Sequence, residues 1–244
     1  MKRVLPSAWL VACLCLGLLI NSAVTGANAS ANDAEVVVLL HGLGRNNTAM
    51  WSLAGRIEKA GYEVHRVGYR TYKTDPAVMI DTVTEQINVC CLNEPRRVHF
   101  VGHSLGGLLI RAYLQDHRPP KLGYTVLVGT PNNGTAAADR VKDQALIEQL
   151  VPAATQLGTD PDSLPNRLPL PDYPVGIIAG VVDRELSNHF LPGPNDGVVP
   201  VESTRLEGMR DFVEIETGHS MMRYDKEVAN QVIHFLAQGR FARP

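Results

Sequence analysis

Gly102-His103-Ser104-Leu105-Gly106-Gly107 follows directly on the apolar run Val98-His99-Phe100-Val101 and opens a helix-forming stretch. This is a G-x-S-x-G pattern between a strand and a helix. A sharp turn at that point forces the serine into a strained backbone conformation and lifts its hydroxyl above the sheet. A side chain at either flanking glycine would collide with the neighbouring strand or helix. The helix also aims its free N–H groups at the same spot. Such a serine attacks carbonyl carbon, and Ser104 is the candidate nucleophile. In a chain with 21 glycines the pattern alone means little; the strand–turn–helix context gives it weight.

A serine hydroxyl is a poor nucleophile until a base takes its proton, and that base must be oriented by a third group. In such elbows the partners follow in the chain order Ser, then Asp or Glu, then His. Downstream of Ser104 stand His117, His189, His219 and His234. His117 closes the helix after the nucleophile, His234 lies inside the last helix, and His189 sits in an irregular loop. His219, in Thr217-Gly218-His219-Ser220, follows directly after the last strand, where a loop can hang it over the sheet. His65 and His99 fall within strands and read as structural. For the acid the residues leave two candidates. Asp196 lies in Asn195-Asp196-Gly197-Val198-Val199-Pro200, which is also an ordinary turn signal, and Asp183 ends the fifth strand directly. An oxyanion needs two backbone N–H donors. Leu105, next after the nucleophile, supplies one. The loop His41-Gly42-Leu43-Gly44 after the first strand supplies the other, expected at Leu43.

The elements that must position these residues alternate. Strands are expected at Glu35 to Leu40, Tyr62 to Tyr69, Arg97 to Val101, Tyr124 to Gly129, Val175 to Val182 and Phe212 to Glu216. Helices are expected at Asn46 to Ala60, from Asp75-Pro76 through the cysteine pair, at Leu105 to Gln115, and at Asp225 to Ala237. That order implies a mostly parallel sheet of about six strands with helices on both faces, and its sites belong at the carboxyl ends of the strands. Between Pro131 and Pro174 the alternation breaks. One helix-like piece, Ala136 to Val151, precedes a proline-rich segment that can hold neither a regular strand nor a long helix. This connection, 131–174, is either a lid or a static cover.

Residues 1–29 differ in kind. Lys2 and Arg3, the apolar run Ala8 to Ile20 and the small-residue end Ala27-Asn28-Ala29 form a signal peptide, so the protein is expected to be exported, periplasmic or secreted, with a single catalytic domain over 30–244. An uncleaved anchor stays open. Leu10-Val11-Ala12-Cys13 looks a little like a lipoprotein processing box, but the apolar run continues past it. Without the leader the chain keeps 21 Lys+Arg against 25 Asp+Glu, a net charge of −4, which argues against a nucleic-acid partner. Cys90 and Cys91 then remain. Adjacent cysteines sit closer than ordinary disulfide geometry accepts. They are expected as core packing on the helix face formed with Met79, Ile80, Val83 and Ile87, and a vicinal disulfide is the alternative.

The segments VVLLHGLGRN (37–46), VHFVGHSLGG (98–107), VGTPNNGT (128–135), GPNDGVVPVES (193–203) and TGHS (217–220) resemble the α/β-hydrolase superfamily, specifically its bacterial lipase/esterase-like branch. They run in the family's order through nearly all of the chain after the leader. The resemblance implies an α/β-hydrolase fold in a minimal version and a triad of Ser104, Asp196 and His219; the match to N-D-G-x-V favours Asp196 over Asp183. It implies hydrolysis of carboxylic esters with an acyl chain of some length, no cofactor, and a small-molecule or lipid ester substrate, with transient contact at a lipid interface if 131–174 is a lid. A thioesterase or amidase on the same triad is the rival enzyme, and a catalytically silent binding protein the rival from another class. In secreted lipases a histidine often follows the G-T-P segment, where this chain has Asn132. No calcium ligands can be mapped, so no metal is assigned, and the oligomeric state is left open.

Overall fold

The computed structural model describes residues 33–182, 191 and 193–243. The expected signal peptide, Asp183 and His189 lie outside the described residues. Six strands form one sheet: β1 Val36–Leu40, β2 Glu63–Val67, β3 Val98–His103, β4 Leu122–Val128, β5 Val175–Val181 and β6 Asp211–Glu216. Every neighbouring pair is parallel, in the order β2-β1-β3-β4-β5-β6. Helices follow as α1 Trp51–Lys59, α2 Pro76–Cys91, α3 Leu105–Asp116, α4 Ala136–Asp139, α5 Ala145–Leu150, α6 Pro152–Thr155, α7 Leu164–Arg167, α8 Val201–Thr204 and α9 Lys226–Gln238. This is a minimal α/β-hydrolase fold. Among the described residues no helix is long and apolar enough to cross a membrane.

The continuous apolar runs make sense because parallel strands are covered on both faces. Along β1, Val36, Val38 and Leu40 pack in a cluster with Met79, Val83 and Ile87 of α2 and Leu108 and Leu109 of α3. Val37 and Leu39 pack on the opposite face with Leu53 and Ile57 of α1 and Val228, Val232 and Phe235 of α9. The chain steps from β1 out to β2, then returns to place β3 on the other side of β1. The direction of winding reverses there, and parallel sheets open a crevice beyond the strand ends at such a point.

Four differences from the sequence expectations have local causes. The helix expected at Asn46 to Ala60 starts as a 3₁₀ turn over Asn47–Met50, because the Asn46 side chain accepts from the Thr48 amide and tightens the entry. The single piece expected at Ala136 to Val151 is two short helices, α4 and α5. The Asp139 carboxylate turns away to accept from the Thr159 amide (2.9 Å) and hydroxyl (2.7 Å), and Gln144 is extended. Cys91, not Cys90, joins the buried face of α2. The two sulfurs are bonded to each other, with Cα atoms 3.7 Å apart, so the vicinal disulfide replaces the expected free pair. The pair ends the helix, where the last carbonyls accept no intrahelical bond in any case.

Candidate active site

Ser104 sits between β3 and α3 with φ 55° and ψ −126°. Few non-glycine residues adopt a positive φ, and the cost is of order 1–3 kcal/mol. The glycines make the turn feasible. A Cβ on Gly106 would lie 2.6 Å from the His41 carbonyl oxygen, and one on Gly42 would lie 3.0 Å from Ser104 Cβ. The loop after β1 is thus pressed against the nucleophile at backbone distance.

The three expected residues converge. Ser104 Oγ lies 3.0 Å from His219 Nε2, and His219 Nδ1 lies 2.7 Å from Asp196 Oδ2. Asp196 is held by its own turn: Oδ1 accepts from the Val198 (2.9 Å) and Val199 (2.7 Å) amides, leaving Oδ2 for the ring. The His219 amide also donates to the Asp196 carbonyl at 2.9 Å. Of the histidines set aside, His65 pairs with Glu63 and His99 with Glu35, each at 2.9 Å. His117 stacks on Tyr113.

Leu105 opens α3, so its amide is one of the first-turn donors that no helical carbonyl can reach. Leu43 lines the cavity above Ser104. Among the described residues neither amide has a hydrogen-bond acceptor. The Leu43 loop is braced from the chain after β2. Tyr69 donates its hydroxyl to the His41 carbonyl while stacking on the His41 ring at 4.0 Å, and Thr71 accepts from the Gly44 amide at 3.0 Å. His41 in turn donates from Nδ1 to the Gly42 carbonyl at 2.9 Å, and burial holds its pKa below the usual value.

His103, beside the nucleophile, was not singled out by the sequence reading. Its Nε2 donates to the His219 carbonyl at 2.9 Å, so it fixes the backbone that carries the base. Burial, and secondarily the nearby His219, push its pKa down to about 3. In the unfolded chain a histidine takes up a proton near pH 6.5. Between that pH and about 3 the unfolded state therefore binds the extra proton, and stability falls with falling pH by up to about 1.4 kcal/mol per unit from this residue. Urea midpoints measured across that window should show a shallower slope in His103→Gln, whose amide can still donate but cannot titrate. Identical slopes in the two proteins would contradict this role.

The cavity over Ser104 measures ≈ 200 Å³, below the roughly 300–1,000 Å³ of sites for drug-sized ligands. Part of its wall comes from the 131–174 connection, through Pro131, Thr135 and Leu157. That connection is anchored: Ala153, Leu157 and Leu164 are buried in the main core. Arg111, buried in α3, donates to the carbonyls of Asn132 (3.2 Å), Leu168 (3.1 Å) and Pro169 (3.3 Å), tying both ends down. Asn132, where a histidine is often found, serves this tie, accepting from Arg111 and donating to the Thr204 carbonyl. Only α5 buries nothing. Among the described residues no group of three His, Cys, Asp or Glu side chains could hold a metal.

A family model described as palmitoyl protein thioesterase matches residues 36–162, just over half of the chain. No curated protein matches. Among solved structures, the mature form of lipase BlEst2 from Bacillus licheniformis is similar at 22% identity and TM-score 0.55, covering 76% of this chain and 84% of that one. Lipase B from Aspergillus fumigatus is similar at 15% identity and TM-score 0.64, covering 87% and 55%. An extracellular α/β-hydrolase from a Paenibacillus species is similar at 15% identity and TM-score 0.54, covering 84% and 98%. These likenesses are of fold.

Proposed function

We infer the reaction from the premise that the chain belongs to the palmitoyl protein thioesterase family, inside the α/β-hydrolase superfamily: it is a serine hydrolase that cleaves carboxylic esters through a covalent acyl-enzyme. One observation carries this reading, the continuous hydrogen-bonded line from Ser104 through His219 to Asp196. As His219 Nε2 takes the hydroxyl proton, Ser104 Oγ attacks the carbonyl carbon. The negative charge that develops on the carbonyl oxygen falls to the Leu43 and Leu105 amides, each such donor being worth about 2.7–4 kcal/mol in the transition state. Asp196 keeps the ring in the tautomer whose Nε2 accepts, and stabilises the imidazolium that forms. His219 then passes the proton to the leaving alkoxide. A water activated by the same ring releases the acid and restores Ser104.

The anchored cover supports an esterase acting on soluble esters over a lipase that opens at an interface. The small cavity supports a short acyl group, shorter than the resemblance implies. A series of p-nitrophenyl esters tests this: kcat/KM should peak near butyrate and fall toward palmitate. A maximum at palmitate would overturn the short-chain reading. The family match supports a second reading, hydrolysis of S-acyl thioesters by the same groups, since a thiolate leaves more readily than an alkoxide. Butyryl thioesters cleaved with higher kcat/KM than matched alkyl esters would favour it.

A further inference from the structure

Two buried arginines behave differently. Arg111 has acceptors for both of its terminal nitrogens, as described above. Arg223 is only 7% exposed, and among the described residues it makes no ion pair and no hydrogen bond. Its Nε, like that of Arg111, is buried without a partner among the described residues, and its guanidinium lies over the face of Tyr224, at 4.9 Å. Burying a guanidinium without an acceptor is costly. An aromatic face offsets only part of that cost.

The surroundings of Arg223 suggest what completes it. It lies four residues beyond His219 on the turn leading to α9 and lines the same cavity as Ser104. Arg45, exposed on the loop after β1, also lines that cavity and likewise has no acceptor among the described residues. Among the described residues no Asp or Glu is in the cavity wall. Asp196, behind the ring, has both oxygens engaged. The charge of both arginines reaches His103 beside the nucleophile and helps hold it neutral. A concave wall with two cations and, among the described residues, no counter-charge concentrates anions, and a guanidinium fork matches the two oxygens of a carboxylate or phosphate.

We propose that Arg223, together with the exposed Arg45, forms an anion subsite beside Ser104, so that the substrate is a short acyl ester or thioester bearing a carboxylate or phosphate close to the scissile bond. The proposal rests on Ser104 being the nucleophile. The anion can belong to the acyl part or to the alcohol part, and paired substrates distinguish them. On the acyl side, p-nitrophenyl hydrogen glutarate is compared with p-nitrophenyl valerate. On the alcohol side, 1-butyryl-glycerol 3-phosphate is compared with 1-butyrylglycerol.

In wild-type protein the anionic member of at least one pair should have about tenfold or higher kcat/KM, the scale of one charge-assisted hydrogen bond. In Arg223→Gln that ratio should fall to within roughly threefold of one. A ratio near one in both wild-type pairs overturns the subsite, as does a wild-type ratio retained in Arg223→Gln. If Arg223→Gln does not fold, the exposed Arg45→Gln reads the same ratio: a fall of roughly threefold or more supports the subsite and no change overturns it. Turnover of the neutral esters with no anionic preference removes the subsite and leaves the nucleophile assignment standing. Failure of the wild type on all four esters removes both.

Discussion

Ser104→Ala is expected to lose about 10⁵- to 10⁶-fold in kcat on p-nitrophenyl butyrate, the scale seen when a serine nucleophile is removed from a comparable triad. The substitution deletes one oxygen from a 7% exposed site. It keeps the backbone and leaves the two proposed oxyanion donors in place, so residual catalysis should persist at roughly 10³- to 10⁴-fold over water. The strained φ of 55° is imposed by the packing of Gly42 and Gly106 and not by the side chain, so the melting temperature should change little. Labelling by a fluorophosphonate should vanish in the variant. Wild-type turnover by Ser104→Ala would end the acyl-enzyme mechanism.

The second large effect is at the acid. Asp196→Asn should cost about 10⁴-fold in kcat, and the geometry says how. Oδ1 is committed to the Val198 and Val199 amides, so an asparagine keeps its oxygen there and turns its NH₂ toward His219 Nδ1. Two donors would then face each other. The ring escapes by moving its proton to Nε2, where it can no longer accept from Ser104. The discriminating control is Asp183→Asn, which should leave kcat within roughly threefold of wild type. If Asp183→Asn were the crippled variant and Asp196→Asn active, the acid would have to be reassigned.

These assignments differ in how far the sequence alone could carry them. Val36–Leu40 reads as a doubly covered strand because a five-residue β-branched and aliphatic run has no polar face to offer water, and all five residues are buried. The serine turn is equally legible, since close backbone approach at Gly102 and Gly106 leaves its mark as glycine at fixed spacing. His219 could be picked out by its position after the last strand. His103 and Arg223 could not. Their roles arise from where a carbonyl and a cavity wall lie in space, and no spacing along the chain encodes that. Tyr69 and Thr71 carry no such signal for the same reason, since bracing a loop 28 and 27 positions upstream leaves no local pattern. In the 131–174 connection, helical periodicity over 136–151 misled because a single carboxylate, Asp139, finds its acceptor-hungry partner at Thr159 and breaks the helix in two. The cysteine pair misled differently. A rule about average Cα spacing favoured core packing and left as the alternative a bond that forms at 3.7 Å.

The bond between Ser104 and His219 joins positions 115 apart in the chain, and the acid between them belongs to another loop. In a sheet whose strands are all parallel no neighbouring pair can close by a hairpin, so each contact must wait for an intervening crossover. A partly collapsed chain can therefore possess its serine turn and still be inert, because the imidazole arrives with the strands at the far edge. Recovery of hydrolase activity after dilution from denaturant is then expected to report the longest-range step of assembly. A nascent chain stays chemically silent until that step is complete.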